Sequence, residues 1–411
     1  MRVLQVTDSY RPAPGGLERS VSLLAQELAT RGHHVEVATL SRPGSPALEQ
    51  EGAVTVRRLA GWTRHLRRFG TDPDHLFHPT VSDPPLVGLL QELVDATRPD
   101  VVHVHGWILH SCLRLRLPAA TALVVSLHDY GLVCAKKTMT YRDELDSRCA
   151  GPSLRSCLGC ASACYGAVKG TALTLGLARA RHGWDRVTMF LPSSTAVARA
   201  CLPGVAPERI RVLSPFVADD VAARPGPPPD FLPNGDFVLF VGALGEHKGL
   251  SVLARAQLRM RTAVPVVVIV PRRADTPELA GTLARPVVVR DGVPHPRIMA
   301  AFAAASVVVV PSRWPEPFGL VAAEAMAAGV AVVASRTGGL AEIVEHGVTG
   351  CLVEPGDAGA LADTLDDLLA DPRRRRHMGA AGVARAARYR AAVVMPRIIE
   401  AYTDARALLH G

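Results

Sequence analysis

Short apolar runs alternate with helix-length segments along most of this 411-residue chain, and that alternation restricts its fold more than any other feature. Residues 3–6 are apolar, a helical pattern covers 17–31, and 35–40 is apolar again. A second helical pattern over 86–97 precedes the run at 101–104, and β-like runs return at Ala122–Leu127 and 188–191. Parallel strands need a crossover between them, usually a helix, so this order predicts a parallel sheet covered by helices on both faces. The segment Arg224-Pro225-Gly226-Pro227-Pro228-Pro229 then breaks any regular element and acts as a semi-rigid spacer. After it the alternation restarts at 237–241, Val266–Val270, 286–290, Val307–Val310 and 330–334.

The chain is therefore expected to carry two α/β domains in tandem. The first covers residues 1–215 with a Cys-rich insertion at about 131–166, a Pro-rich linker covers 216–235, and the second domain covers 236–385. A helical, Arg-rich tail is expected over 386–411. An apolar content of 48% excludes disorder. The net charge of +8 comes without a helix-turn-helix, RNA-recognition or zinc-finger signature, so no nucleic-acid partner is expected; an anionic small substrate or an acidic membrane surface fits the charge. No run is long enough to span a bilayer, and the first residues read as a strand and not a signal peptide, so a cytoplasmic protein with reduced thiols is expected.

Open α/β sheets bind ligands beyond the carboxyl ends of their strands, so two facing domains would enclose a cleft lined by strand-end loops. In the second domain one such loop reads Gly242-Ala243-Leu244-Gly245-Glu246-His247-Lys248-Gly249. It matches neither the Walker nor the dinucleotide glycine pattern. Lys248 at the start of the next helix suits a phosphate, the other reading being a solvated lysine in a turn. The segment 311–329 specifies a strand end, a turn bracketed by Pro315 and Pro317, and a short helix ended by Gly329. The amides of Phe318, Gly319 and Leu320 fall at that helix start, where the backbone favours an anion. Glu316 and Glu324 serve no apolar core, and as acceptor-only groups they suit the hydroxyls of a sugar or ribose.

On these residues the chain resembles glycosyltransferase family 4, the retaining group with the GT-B fold of two facing Rossmann-like parallel-sheet domains and a cleft between them. The resemblance rests on the Glu316/Glu324 pair, on Thr337-Gly338-Gly339-Leu340-Ala341-Glu342, on Lys248-Gly249 and on Gly15-Gly16-Leu17-Glu18. It implies that Lys248 binds the donor diphosphate, Glu324 the ribose and Glu316 the transferred sugar, with the amides of Phe318, Gly319 and Leu320 completing the contacts. It also implies that the backbone at Val293, after Asp291-Gly292, edges the nucleobase, and that the loop at Gly16 lines the cleft near the phosphates. One position departs from the family pattern: the usual Gly-Arg-Leu reads Gly242-Ala243-Leu244. The missing arginine removes a charged contact worth about 1.5–3 kcal/mol, for which Arg272, Arg273 or Arg313 could compensate.

In the first domain the strand Ala122–Leu127 runs into His128-Asp129-Tyr130. The resemblance places His128 beside the transferred sugar in a supporting role. The alternative, a general base oriented by Asp129, would imply inversion, and adjacent residues make that contact poorly. His103 and His105 are read as polar lining in preference to metal ligands. Five of the eight cysteines, Cys134, Cys149, Cys157, Cys160 and Cys164, cluster in the insertion. A structural zinc on Cys134, Cys149, Cys157 and Cys160, with Cys164 as alternate, is one expectation, and reduced thiols in a loop that shapes acceptor choice are the other. The stretch Trp62-Thr63-Arg64-His65-Leu66-Arg67-Arg68-Phe69 is read as a solvated or acceptor-contacting loop, with peripheral membrane contact as the alternative. The run 373–376 is read as solvated surface.

The expected activity is transfer of a sugar from a nucleoside-diphosphate sugar to a hydroxyl of a small-molecule or lipid-linked acceptor, with retention and without a catalytic metal. The alternatives are a nucleotide-sugar epimerase of the same fold and a catalytically silent nucleotide-sugar binder, for which Ala243 is the hint.

Overall fold

The computed structural model describes residues 1–13, 15–62, 65, 78–142, 144–217, 226–271 and 287–410. The chain forms two compact units, Met1–Asp143 with Cys149–Ser214 and Val394–Gly411, and Glu144–Arg148 with Pro215–Val393.

The first unit is built on β1 (Arg2–Thr7), α1 (Gly16–Thr30), β2 (His34–Leu40), β3 (Leu48–Glu51), β4 (Val54–Leu59), α2 (Pro84–Thr97), β5 (Val101–His105), β6 (Ala122–Leu127), α3 (Leu154–Tyr165), α4 (Ala167–Ala180) and β7 (Met189–Pro192). Its sheet runs β3-β4-β2-β1-β5-β6-β7, parallel except where β3 pairs antiparallel with β4. Two of its strands escaped the sequence reading. β4 buries only alternate residues and β3, Leu-Glu-Gln-Glu, has no apolar run, as befits the edge of a sheet. Helix α2 starts at Pro84, ahead of the expected 86, because the Asp83 carboxylate accepts from the Leu86 amide at 3.2 Å and proline suits the first helical turn.

The second unit contains β8 (Val238–Val241), α5 (Leu250–Gln257), β9 (Val266–Val270), β10 (Val287–Asp291), α6 (His295–Ala304), β11 (Val307–Val310), α7 (Leu320–Ala327), β12 (Ala331–Ser335), β13 (Gly350–Val353), α8 (Ala358–Ala370) and α9 (Pro372–Ala386). Its all-parallel sheet runs β10-β9-β8-β11-β12-β13. Alternate residues of each strand enter opposite cores. Leu239, Val267, Ile269, Val308 and Val332 pack on one face, and Val238, Phe240, Val266, Val268, Val307 and Val333 on the other. Burial on both faces is why β8, β9, β11 and β12 read as unbroken apolar runs, whereas β13, four residues opening on a glycine, was not among the runs expected.

The tail is helical and partly buried. The last helix, α10 (Ala391–Ala407), carries Val394, Met395, Ile398, Ala401, Tyr402 and Ala405 buried along one stripe, and from Val394 onward it counts with the first unit. The run at 373–376 is also not uniformly solvated: Arg375 donates to the carbonyls of Leu368 and Leu369 at the end of α8 and pairs with Asp236. No helix among the described residues is long and apolar enough to cross a membrane.

Candidate functional site

In the second unit the expected residues gather at the carboxyl ends of β8, β10 and β11. After β8 the chain passes through Gly242 and Ala243, makes a single 3-10 turn at Glu246–Lys248, and enters α5 at Gly249. Gly249 has φ 78°, and a Cβ there would run into the Pro311 carbonyl, so glycine is required both for its conformation and for its size. The Arg313 amide donates to the His247 carbonyl at 2.9 Å and ties the two loops together. Gly249→Ala is therefore expected to destabilise this unit by about 3 kcal/mol. A thermal melt reads the effect, and an unchanged midpoint would show that the loop is not braced this way.

Lys248 and Glu316, assigned separate tasks from sequence, form one ion pair. Lys248 Nζ lies 2.7 and 3.1 Å from the two carboxylate oxygens, and Ser312 Oγ and Trp314 Nε1 each donate to Glu316 Oε2 at 2.9 Å. Burial opposes the charge on Glu316, but the Lys248 ammonium and these hydrogen bonds outweigh it and hold the carboxyl below its usual range. Glu316 is thus an ionised, acceptor-only group. The turn that presents it is braced from behind, since the Gly339 amide donates to the Glu316 carbonyl at 2.7 Å and a Cβ at Gly338 would enter the backbone of Pro315 and Glu316. That explains why two glycines follow Thr337.

Helix α7 begins at Leu320 after Gly319 at φ 105°, where a Cβ would strike the Leu340 side chain. Phe318 is buried and packs edge-on against Tyr389. Among the described residues the amides of Phe318, Gly319 and Leu320 make no hydrogen bond, as a helix start requires of an anion cradle. Glu324, buried on α7, lies 2.9 Å from His295 Nε2. His295 was missed in the sequence, although it opens α6 directly after Asp291-Gly292-Val293-Pro294, the loop already singled out. Val293 is half-buried just past the end of β10. Of the basic residues considered as replacements for the missing arginine, Arg313 pairs with Glu246 at 3.4 Å, and Arg272 and Arg273 lie outside the described residues.

In the first unit Gly16 opens α1 just after β1. Asp8, past the end of β1, is fully buried and accepts from the amides of Trp107 at 2.8 Å and Ile108 at 2.5 Å, folding the loop after β5. Burial pushes its carboxyl up to about 7, against the pull of Lys137 and of those two amides. His128 lines a pocket with Gly106, Trp107, His110, Asp129 and Lys137. Asp129 does not orient it: that carboxylate accepts from the Gly131 amide at 2.7 Å and faces Lys137 at 3.7 Å. His128 Nε2 lies instead 2.9 Å from His105 Nδ1. His103 and His105 are buried on β5, their rings 4.1 Å apart, and so are interior groups and not open lining. Of the stretch 62–69 only Trp62, exposed, and His65 are described; Thr63, Arg64, Leu66, Arg67, Arg68 and Phe69 lie outside the described residues.

The four thiols expected to hold zinc, Cys134, Cys149, Cys157 and Cys160, are free and line one cavity, which Cys164 does not. Yet no three His, Cys, Asp or Glu side chains among the described residues are placed to hold a metal ion. The thiols turn to the backbone instead. Cys149 Sγ faces the Gly151 carbonyl at 3.6 Å, Cys160 Sγ accepts from the Arg142 amide at 3.1 Å, and the amides of Met139, Lys136 and Thr138 reach Cys134. Burial pushes the Cys134 and Cys157 thiols up, which keeps them neutral. The zinc expectation thus meets a shared cavity but no coordination sphere.

Comparison with known proteins matches residues 14–221 to the family model described as Glycosyltransferase Family 4, and residues 229–385 to the one described as Glycosyl transferases group 1. D-inositol 3-phosphate glycosyltransferase 1 of Catenulispora acidiphila is 30% identical over 95% of this chain and 91% of its own length. Alpha-maltose-1-phosphate synthase of Mycolicibacterium smegmatis is 35% identical over 44% of this chain, and the match spans only 52% of that protein. Among solved structures, sucrose-phosphate synthase from Thermosynechococcus elongatus superposes with a TM-score of 0.75 at 20% identity, covering 99% of this chain and 100% of that one. HepE of Anabaena, solved in complex with UDP and glucose, superposes with a TM-score of 0.69 at 19% identity, covering 98% and 99%. At these identities the structural likeness speaks to the fold, two parallel-sheet α/β domains of the GT-B type.

Proposed function

The chain belongs to glycosyltransferase family 4, and from that membership we propose that it moves a hexosyl group from a nucleoside-diphosphate sugar to an acceptor hydroxyl with retention of configuration. The observation that carries the reading is the second unit's cluster of Lys248, the ionised Glu316, the buried Glu324 and the amides at the start of α7.

As the bond from sugar to phosphate breaks, negative charge grows on the departing diphosphate. An ammonium and fixed amide dipoles lower the energy of that charge without having to reorganise, so the step as proposed runs without a metal ion. Glu316, acceptor-only, would take hydrogen bonds from sugar hydroxyls while sharing Lys248 with the phosphate, and Glu324 would hold the ribose. The backbone at Val293 would edge the base, the loop at Gly16 would approach the phosphates, and His128 would stand beside the sugar. The acceptor oxygen attacks from the face the diphosphate leaves, and a donor phosphate oxygen takes its proton.

The relative's name makes D-inositol 3-phosphate a first acceptor to try, and the ligands named with HepE make UDP-glucose a first donor. The test is a thermal-shift screen over uridine and guanosine diphosphate sugars. A ligand held at about a hundred times its Kd is expected to stabilise the fold by about 2.7 kcal/mol. A screen in which no nucleotide sugar raises the melting temperature overturns the donor assignment. For any hit, the anomeric configuration of the product decides between retention and inversion, and free nucleotide appearing without an acceptor would indicate the epimerase.

A further inference from the structure

We propose that Gln5, His105 and Tyr402 are positioning residues that set the tautomer of His128, leaving its Nδ1 as a bare acceptor for a hydroxyl of the bound sugar or acceptor. The role of the hydroxyl rests on the proposed transfer reaction; the tautomer itself does not.

A single hydrogen-bonded chain runs from the mouth of the pocket into the core of the first unit. His128 Nε2 lies 2.9 Å from His105 Nδ1, and His105 Nε2 lies 2.5 Å from Gln5 Oε1. Gln5 Nε2 reaches the Tyr402 hydroxyl at 3.4 Å, that hydroxyl lies 2.7 Å from His103 Nδ1, and His103 Nε2 lies 2.8 Å from Ser126 Oγ. Gln5, His105 and Tyr402 are completely buried and His103 nearly so, which leaves no water to relieve a mismatch. Burial holds all three imidazoles far below their ordinary range, so each carries one proton and must donate from one nitrogen and accept at the other.

The direction of donation then follows link by link. A carboxamide oxygen only accepts, so His105 carries its proton on Nε2. Its Nδ1 must then accept, and the donor is His128 Nε2. That leaves His128 Nδ1 unprotonated, with no partner among the described residues. On the other side, the Gln5 amide donates to the Tyr402 oxygen, the Tyr402 hydroxyl donates to His103 Nδ1, and His103 Nε2 donates to Ser126.

Turning the Gln5 amide over would reverse every bond and put a proton on His128 Nδ1. It would also put two nitrogens across the 2.5 Å contact at His105, a spacing already short for N–H···O and shorter still for N–H···N, whereas the longer 3.4 Å contact to Tyr402 takes the amide nitrogen more readily than an oxygen accepting from a hydroxyl. The spacing therefore selects one of the two polarities. Tyr402 holds the far end of the Gln5 carboxamide in place, because its hydroxyl is what the Gln5 nitrogen meets there. The last helix of the chain thus reaches the pocket through four side chains.

The experiment is nitrogen-15 NMR of the full-length protein labelled at histidine, with Tyr402→Phe and Gln5→Met as the variants. In the wild type His128 is expected to show a protonated Nε2 and an unprotonated Nδ1. In either variant both tautomers should appear, with kcat lowered by about tenfold, the scale seen when partners that orient a histidine are removed, and the KM for donor little changed. A wild-type His128 protonated on Nδ1 overturns the proposal even if neither variant folds. So do variants that fold and keep the wild-type tautomer. Loss of nucleotide-sugar transfer in all three proteins, with the tautomers as expected, would instead count against the proposed function.

Discussion

Acidification from pH 7 to about pH 5 is expected to strip protection from the first unit while the second stays folded. Among the described residues, five deeply buried histidines of that unit are held neutral by burial, His78 at about 4, His103 at about 3, His110 at about 3, His128 at about 4, and His105 lower than the usual range, and burial pushes the less buried His33 down as well. The unfolded chain binds protons at its histidines below pH 6.5, whereas the folded unit refuses them until its own lower values are reached. Each therefore contributes stability that is complete above 6.5 and is lost as the pH falls toward 4 or 3. At about 1.4 kcal/mol per pH unit, each of the four histidines whose folded value lies at about 3 or 4 costs about 2 kcal/mol by pH 5, about 8 kcal/mol together, and His105 acts in the same direction. Asp8 acts in the opposite sense. Its folded value, about 7 against 3.8 unfolded, adds stability as the pH drops, and it returns about one histidine's worth. The remainder is comparable with the whole stability of a domain. The second unit has one such group, His247, which burial and Lys248 push down. Peptide-resolved hydrogen exchange, corrected for the intrinsic pH dependence of exchange, should show β1, β5 and β6 losing protection near pH 5 while β8, β11 and β12 keep it. Equal protection of both sheets at pH 5 would contradict the account.

Lys248→Ala is expected to remove two things that a double variant can separate. The ammonium is the strongest partner of a buried carboxylate, so its loss leaves Glu316 charged with only Ser312 and Trp314 to hold it. Breaking one side of such a pair costs about 3 kcal/mol, which in a unit of this size lowers the melting temperature by several degrees. The same change deletes the cation offered to the diphosphate, and one to two charged hydrogen bonds correspond to about tenfold to a hundredfold in donor binding or transfer. Adding Glu316→Gln to Lys248→Ala neutralises the stranded carboxylate, so the double variant should recover most of the stability and none of the donor response. Non-additivity of this kind is what two groups in contact should show. A Lys248→Ala protein that still gains thermal stability from a nucleotide sugar as the wild type does would remove Lys248 from the donor site.

Much of this was legible in the chain before any coordinates. Most strands buried on both faces announced themselves as apolar runs, β13 being the exception, and the glycines at 249, 319, 338 and 339 stood in the segments singled out, though what a Cβ there would strike appears only in the fold. Strands β3 and β4 were not legible, since an edge pair facing water on one side shows only a weak alternation. For the cysteines, spacing along the chain says how far apart two thiols are and not which way they turn, so it left both readings of the insertion open. His295 was hidden because a single histidine carries no periodicity, and only its distance to Glu324 gives it a role.

The order of residues by itself pointed to two α/β sheets and the loops at their strand ends, because apolar runs and turn chemistry are local properties that a linear pattern records, and its motifs carried the resemblance to the family. Only the tertiary structure decided how the polar groups pair: Lys248 with Glu316, His295 with Glu324, and His128 with His105 where Asp129 was the nearer neighbour in sequence. Such pairings join residues as far apart as Gln5 and Tyr402. A buried donor must find an acceptor wherever the fold brings one, and no spacing rule along the chain encodes where that is.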